Sequence, residues 1–494
     1  MMLDLTTKAI TGVSWSIAQR LTSQALQSIV FLFVARLLGP GSFGLLALAL
    51  VFLGLMQILV EQGFGDAIIQ RGTLDGTWLD TAFWTGTLSG VLCCGLAVAL
   101  APWVALVFSQ PELAPIIRWL SLLFLFYGLT MVPQALLRRA LDFKPLALSS
   151  ITQSLVGGVV AVVMAWRGFG VWSLVGQQLA AAFAGLVILS LVTHWRPRFQ
   201  FSTHSLRELA RFGCHITGVN LLNVVNRQGD NLVIGYFLGP VALGYYTIAY
   251  QLLTTLSNLL IGTVNSVSLP LFSRLQGSHR DLRELLQRLT RLTCATSAPI
   301  FIGLALFAPD VITLCLGPKW QPSAPALQVL CLIGFLYAGF YFHGPLLSAI
   351  GRPQWNLYLN AVQAVTNCAA FLIGVRWGIV GVAAAYVLRA YLTSPLHFLV
   401  VRRALGLRPW TYLKEFLPAM AASSVMALAI LALKLFFPFA SSPITLALGV
   451  PLGGATYGLI LLALQPETRG DLESLWQHLR QRPATPGPTL APVH

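Results

Sequence analysis

The chain has 494 residues, 56% of them hydrophobic and only 10% charged, with a mean hydropathy of +0.76 and a formal net charge of +15. A soluble globular chain carries about 25% charged residues and does not supply many apolar runs of about 20 residues separated by short basic loops, so a large soluble core is excluded and an all-α polytopic membrane protein is indicated. The excess positive charge would suggest nucleic acid in a soluble protein; here it sits in loops between apolar runs, and no nucleic-acid partner is expected.

Fourteen apolar segments, each a candidate transmembrane helix, fall at 12–36, 43–65, 81–108, 115–137, 146–166, 170–193, 211–237, 243–270, 290–309, 324–349, 355–375, 379–401, 415–437 and 442–465. The first carries Ser16, Arg20, Ser23, Gln24 and Gln27, which share one helix face at about 100° per residue. It contains Arg20 and runs into a second span with no cleavage-type site, so it is expected to be retained rather than removed as a signal peptide. Leu38-Gly39-Pro40 then breaks the helix, because proline cannot extend one and glycine can take a positive φ. The second segment adds Gln57, Glu61, Gln62 and Asp66, beside Gly63, Gly65 and Arg71. Glu61 and Asp66 suit an interfacial gate or salt bridge, or coupling to protons or sodium. Further on, Gly157-Gly158 reads as close helix packing.

A basic connector, 194–210, holds Ser205-Leu206-Arg207-Glu208 at capping-box spacing and reads as a cytoplasmic linker helix. The seventh segment then repeats the first. Asn220, Asn223, Asn226, Arg227 and Asp230 fall within an arc of roughly 120°, and Leu238-Gly239-Pro240 breaks the helix again. The eighth segment adds Gln251, Asn258 and Asn265. A second connector, Asp281-Leu282-Arg283-Glu284, has the same capping spacing and brings basic charge to anionic head groups. Arg389 lies in the twelfth segment, where packing, lipid contact and a role in a transport path all stay open. From Pro483 the tail has too many prolines to fold and is expected to be disordered.

The two halves align residue by residue. At an offset of 200, Leu38, Gly39, Pro40, Gly44 and Ala49 recur as Leu238, Gly239, Pro240, Gly244 and Ala249. At an offset of 210, Ala114, Pro115, Leu120 and Tyr127 recur as Ala324, Pro325, Leu330 and Tyr337. The ten extra residues are expected in the loop around 274–290. Six spans separate the copies, an even number, so both have one orientation, and parallel repeats of this kind enclose a substrate path where they meet. The division expected is an N-terminal six-helix lobe, 1–193, the linker 194–210, a second six-helix lobe, 211–403, two added helices, 404–466, and a cytoplasmic tail, 467–494. With both termini cytoplasmic, 22 of the 31 Lys and Arg residues fall inside and 6 outside, which satisfies the positive-inside bias.

An arginine at the bilayer centre costs about 2.5–3.5 kcal/mol on insertion scales and normally faces protein or water. Arg20 and Arg227 sit mid-span on corresponding polar faces, where they could line a wet cavity and meet an anionic head group. A diphosphate suits guanidinium, since two parallel N–H bonds match its oxygens. Ser23, Gln24, Gln27, Asn220, Asn223 and Asn226 suit sugar hydroxyls, and Asp230 completes the set. The bland reading is local: Arg227 pairs with Asp230 one turn away. Cys93, Cys94, Cys214, Cys294, Cys315, Cys331 and Cys368 form no CxxC pair and read as packing residues. There is no GxxxxGK[ST] loop, no HExxH and no Ser-His-Asp or paired-carboxylate arrangement. No catalytic activity, metal or other cofactor is expected.

The runs KAITGVSWS, VARLLGPGSFGLLALALVFLG, GFGDAIIQR, TAFW, VPQALLRRALDFK, NRQGDNLVIGYFLGP, GYYTIAYQL and LFSRLQ resemble Wzx-type polysaccharide flippases. These belong to the multidrug/oligosaccharidyl-lipid/polysaccharide exporter (MOP) superfamily, and the resemblance covers about residues 8–465. It implies a MATE-like pair of lobes working by alternating access. The cargo implied is an undecaprenyl-diphosphate-linked oligosaccharide carried outward across the bacterial inner membrane for lipopolysaccharide or exopolysaccharide synthesis. A polysaccharide polymerase and a chain-length regulator are the implied partners, beside membrane lipid. A lipid II flippase and an ion-coupled drug exporter are the rival transporters, and a membrane glycan polymerase or ligase is the rival of another class. The latter expects a sizeable outside loop, and every outside loop here is short.

Overall fold

The structure is a computed structural model that describes residues 22–61, 64–71, 75–437 and 442–465, and every regular element among them is a helix. In chain order these are α1 (Thr22–Leu37), α2 (Pro40–Glu61), α3 (Phe64–Gln70), α4 (Gly76–Val107), α5 (Leu113–Leu120), α6 (Leu122–Arg139), α7 (Phe143–Trp166) and α8 (Val171–Val192). The second half holds α9 (Thr203–Ser257), α10 (Thr263–Arg274), α11 (His279–Cys315), α12 (Ala324–Phe340), α13 (His343–Ala349), α14 (Pro353–Gly374) and α15 (Gly378–Leu405). Then come α16 (Pro409–Leu413), α17 (Leu417–Phe436) and α18 (Ser442–Leu464).

Among the described residues, eleven stretches are long and apolar enough to cross a membrane, and Thr22–Leu37 is a shorter apolar helix. Two of the eleven, Asn226–Gly262 and Pro353–Leu405, each contain two of the expected spans, divided at Gly239 and Gly378, where φ is positive. Each of the fourteen apolar segments is helical over most of the part that lies within the described residues; the first is described only from residue 22. Leu106, Trp166, Leu392 and Leu435 are each more than 70% exposed. Side chains of that size are solvated by lipid rather than water, as a multi-pass membrane protein requires.

The described residues form two compact units, one within 1–256, 311–330 and 353–393, the other within 257–310, 331–352 and 394–494. In the first unit the two break motifs meet. Pro40 opens α2, at the helix position that tolerates a missing N–H, and Gly239 takes φ 81° between the two parts of α9. A Cβ added at Gly44 would lie 2.9 Å from Pro240 Cα and nearer still to its carbonyl; one at Gly244 would lie 3.0 Å from Pro40 Cα in the same way. Each repeat's glycine therefore receives the other repeat's proline, an approach open only to residues without a side chain. Around this seam the Arg36 guanidinium donates to the Cys315 carbonyl at 2.8 Å, Lys319 Nζ to the Arg36 carbonyl at 2.6 Å, and Trp320 Nε1 to the Ala35 carbonyl at 2.8 Å. Gly157 packs on α8 and Gly158 on Val30 of α1, as their spacing suggested.

The connector between repeats is tied down along its length. Over 194–202 it has no helix and lies on the start of α4: the Arg198 N–H donates to Asp80 at 3.1 Å, Trp84 Nε1 to the Arg198 carbonyl at 2.8 Å, and Phe199 stacks on Trp84 at 4.7 Å. The Ser205 N–H bonds Ser202 Oγ at 3.3 Å, so Ser202, not Ser205, caps α9. Glu208 instead accepts from Arg71 at 2.6 Å, and that bond holds its carboxyl below the ordinary carboxylate range. At the second connector the cap is Ser278, which accepts from the Asp281 N–H at 3.3 Å. Both expected capping boxes are thus corrected by three residues, because a serine three residues upstream of each accepts from the first-turn backbone N–H. The ten extra residues are corrected too. α10 has 12 residues against 7 in α3, and α11 has 37 against 32 in α4, so they lengthen two helices rather than one loop.

In the second unit, Tyr412 of α16 is buried and donates to the Gly339 carbonyl at 2.7 Å, with Thr290 Oγ1 at 2.9 Å and His343 Nε2 at 3.2 Å from its hydroxyl. Lys434 of α17 pairs with Asp310 at 2.8 Å, and Tyr457 of α18 donates to the Ala295 carbonyl at 2.7 Å. The last two long helices are therefore bonded to α11.

Candidate functional site

The faces expected to line a site lie on α1 and α9, both in the first unit. On α1, Ser23 and Gln24 are half-buried and Gln27 is exposed. Ser23 Oγ has no hydrogen-bond partner among the described residues, while Gln27 Nε2 donates to Ser154 Oγ of α7 at 3.4 Å. Arg20 and Ser16 lie outside the described residues.

On α9 the backbone is helical through Asn220 and Asn223, whose side chains lie outside the described set. Asn226 Oδ1 accepts from Asn367 Nδ2 of α14, a residue 3% exposed and distant in sequence. Arg227 is exposed and makes no ion pair among the described residues. Asp230 is 4% exposed, so it stands behind the polar face rather than on it. Its Oδ2 accepts from the Tyr246 hydroxyl at 3.0 Å and its Oδ1 from the Asn231 N–H at 2.8 Å. A buried carboxyl needs such donors, since leaving it unbonded costs several kcal/mol. With Asp230 engaged there, the local Arg227–Asp230 pair does not form.

Behind Asp230 runs a line of aromatic rings. Tyr246 stacks on Tyr250 at 6.0 Å, Tyr250 meets Tyr386 edge-on at 6.4 Å, and the Arg389 guanidinium lies 5.2 Å from the Tyr386 ring centre. Arg389 therefore packs on an aromatic face, a favourable place for a cation. Sequence reasoning missed Asn367, Tyr246, Tyr250 and Tyr386. The i, i+4 spacing of Tyr246 and Tyr250, 16 and 20 residues after Asp230, was the available signal; nothing marked Asn367. Glu61 closes α2 and Asp66 lies in α3, but their side chains fall outside the described residues. No group of three or more His, Cys, Asp or Glu residues able to hold a metal occurs among the described residues. Chemically, hydroxyl and amide groups beside an unpaired guanidinium can hold an oxyanion and sugar hydroxyls.

A family model described as "Polysaccharide biosynthesis protein" matches residues 33–325, more than half of the chain. The lipopolysaccharide biosynthesis protein WzxC of Escherichia coli (strain K12) is 26% identical over 412 residues, covering 82% of this chain and 83% of the relative. The succinoglycan biosynthesis transport protein ExoT of Rhizobium meliloti (strain 1021) is 26% identical over 364 residues, 74% of each. Among solved structures, the lipid II flippase MurJ in an inward closed conformation superposes with a TM-score of 0.77 at 14% identity, over 92% of this chain and 99% of that one.

Proposed function

The chain belongs to the polysaccharide biosynthesis protein family, and from that premise we propose that it is a flippase for lipid-linked oligosaccharides, not an enzyme. The carrier is undecaprenyl diphosphate, the membrane is the bacterial inner membrane, and both termini are cytoplasmic. Two six-helix lobes, 1–193 and 211–403, alternate their opening around a central path, and the sugar chain is delivered to a polymerase and its chain-length regulator.

Arg227 carries this reading. It is an exposed guanidinium on an apolar span, with no ion pair among the described residues and its nearest acid taken by Tyr246. A charge so placed normally faces a water-filled cavity rather than lipid, and there a mobile anion can pair with it. Arg20 lies on the corresponding polar face of the first repeat, at the position matching Asn220, and Ser23, Gln24, Gln27, Asn220, Asn223 and Asn226 supply hydroxyl and amide groups for the sugars. Asp230 orients the helix through Tyr246 instead of touching cargo. Glu61 and Asp66 gate the path or couple it to an ion.

The test is reconstitution in vesicles with undecaprenyl diphosphate bearing a short glycan, beside lipid II as a second cargo. The glycan-bearing carrier should reach the far leaflet. Arg20→Ala and Arg227→Ala at wild-type abundance should abolish that movement, and normal movement in both variants would remove the arginines from the mechanism. Preference for lipid II would replace the oligosaccharide by that cargo, which the fold alone serves equally well.

A further inference from the structure

The run VPQALLRRALDFK ends α6 and opens α7, and these two helices with Leu189 of α8 wall a cleft. Gln134 and Arg138 stand one turn apart at the end of α6, and Phe143, Ser149, Ser150 and Gln153 of α7 face them across a cavity of about 280 Å³. No carboxylate lines it. Arg138 is exposed, with no partner among the described residues. Ser149 is 2% exposed and accepts from Gln153 Nε2 at 3.0 Å, so its own proton is free to be donated.

These features select a ligand class. A metal ion would be held by carboxylate, imidazole or thiolate side chains, and the cleft has none of these beside its arginine. A glycan repeat unit exceeds a cavity just below the range of drug-sized pockets, whereas one or two phosphate groups fit. An arginine with hydroxyl and amide donors is the set that holds a phosphate. The cleft also leads somewhere. At 1.5 Å per residue, Ser149 lies about 9 Å and Ser154 about 17 Å along α7 from Phe143. Ser154 is the residue that accepts from Gln27 of α1. Hydroxyl and amide groups thus form a lane from Arg138 to the polar face of α1.

We propose that this cleft is a loading site for the phosphate end of the polyprenyl carrier, which it holds at the α6–α7 end before the carrier reaches α1. The choice of carrier rests on the flippase reading; the choice of a phosphate rests on the cleft. The experiment is equilibrium binding to the full chain in nanodiscs of neutral lipid, with undecaprenyl diphosphate, phosphatidylglycerol and inorganic diphosphate as probes. Undecaprenyl diphosphate should bind tightest. Arg138→Gln should weaken it about tenfold or more and Ser149→Ala several-fold, the loss expected of charge-assisted and neutral hydrogen bonds, with melting temperatures unchanged. Gln134→Leu gives an independent variant should Ser149→Ala unfold the protein. Wild-type affinity in Arg138→Gln and Gln134→Leu would overturn the site, and equal affinity for phosphatidylglycerol or inorganic diphosphate would overturn the carrier. An Arg138→Gln protein that loses binding yet flips at the wild-type rate would overturn the loading role and leave the flippase reading standing. Arg138-dependent binding by a protein that flips no carrier would uphold the cleft and remove the flippase reading.

Discussion

Replacing Gly44 by alanine pits two opposing effects against each other. Gly44 lies inside α2, where alanine is favoured over glycine by up to about 1 kcal/mol, so helix propensity alone makes Gly44→Ala stabilising. The crossing of the repeats opposes it. A Cβ at that position sits 2.9 Å from Pro240 Cα, against about 3.5–4.0 Å for an unstrained carbon pair. The two backbones must therefore part by at least about 0.6–1 Å, and by more to clear the carbonyl. Overpacking a tight contact costs about 1–3 kcal/mol, so the net change is a loss of up to about 2 kcal/mol. Gly54→Ala, in the same helix with nothing within 4 Å of its Cβ, has only the propensity gain and should be neutral or stabilising. Gly244→Ala should behave like Gly44→Ala. Once the helices have separated for one methyl, the second costs less, so the double variant should lose less than the sum, by about 0.5 kcal/mol or more. Equilibrium unfolding of the wild type and the four variants in one detergent measures all of this. If Gly44→Ala were as stable as Gly54→Ala, the interlocked crossing would not exist.

The Arg71–Glu208 bond gives a pH signature. The Arg71 hydrogen bond holds the folded-state Glu208 carboxyl low, so its contribution is complete above the unfolded carboxylate pKa and fades as pH falls through the lowered value. The stability difference between wild type and Glu208→Gln should therefore vanish in acid, and a constant difference from pH 3 to 7 would refute the bond. Tyr412→Phe removes the hydroxyl that serves Gly339, Thr290 and His343 and should cost about 1–3 kcal/mol, read as a lower unfolding midpoint. Tyr246→Phe strips Asp230 of one donor; it should cost a similar amount, about 1–3 kcal/mol, and Asp230→Asn should cost less in that background than alone, a coupling that a double-mutant cycle measures.

The spans could be read from sequence because an apolar run of about 20 residues has few other solutions. The crossing of the repeats was half visible: the paired Leu-Gly-Pro breaks could be aligned, but nothing showed that Gly44 and Gly244 would each take the other's proline. The site was harder. Its polar faces follow from helical periodicity, which says which residues share a side but not what stands opposite. Asn226 finds Asn367 across 141 residues of chain, and Asp230 turns to Tyr246 beyond the Gly239 break, and no local rule reports either partner. The caps failed for a related reason. Ser205 and Asp281 have the right spacing, yet Ser202 and Ser278 reach the same backbone first.

The clamped connector has a mechanical consequence. α9 leaves it as helix and runs without a break from Thr203 to Gly239, a rod of about 54 Å at 1.5 Å per residue. One end is bolted to α4 through Ser202 and to Arg71, the residue after α3, through Glu208; the other ends at a glycine joint. For such a lever a tilt of about 5° at the bolted end displaces the tip by about 5 Å, roughly one helical turn. Small adjustments where the two halves are joined would arrive, magnified, at the opposite face of the membrane.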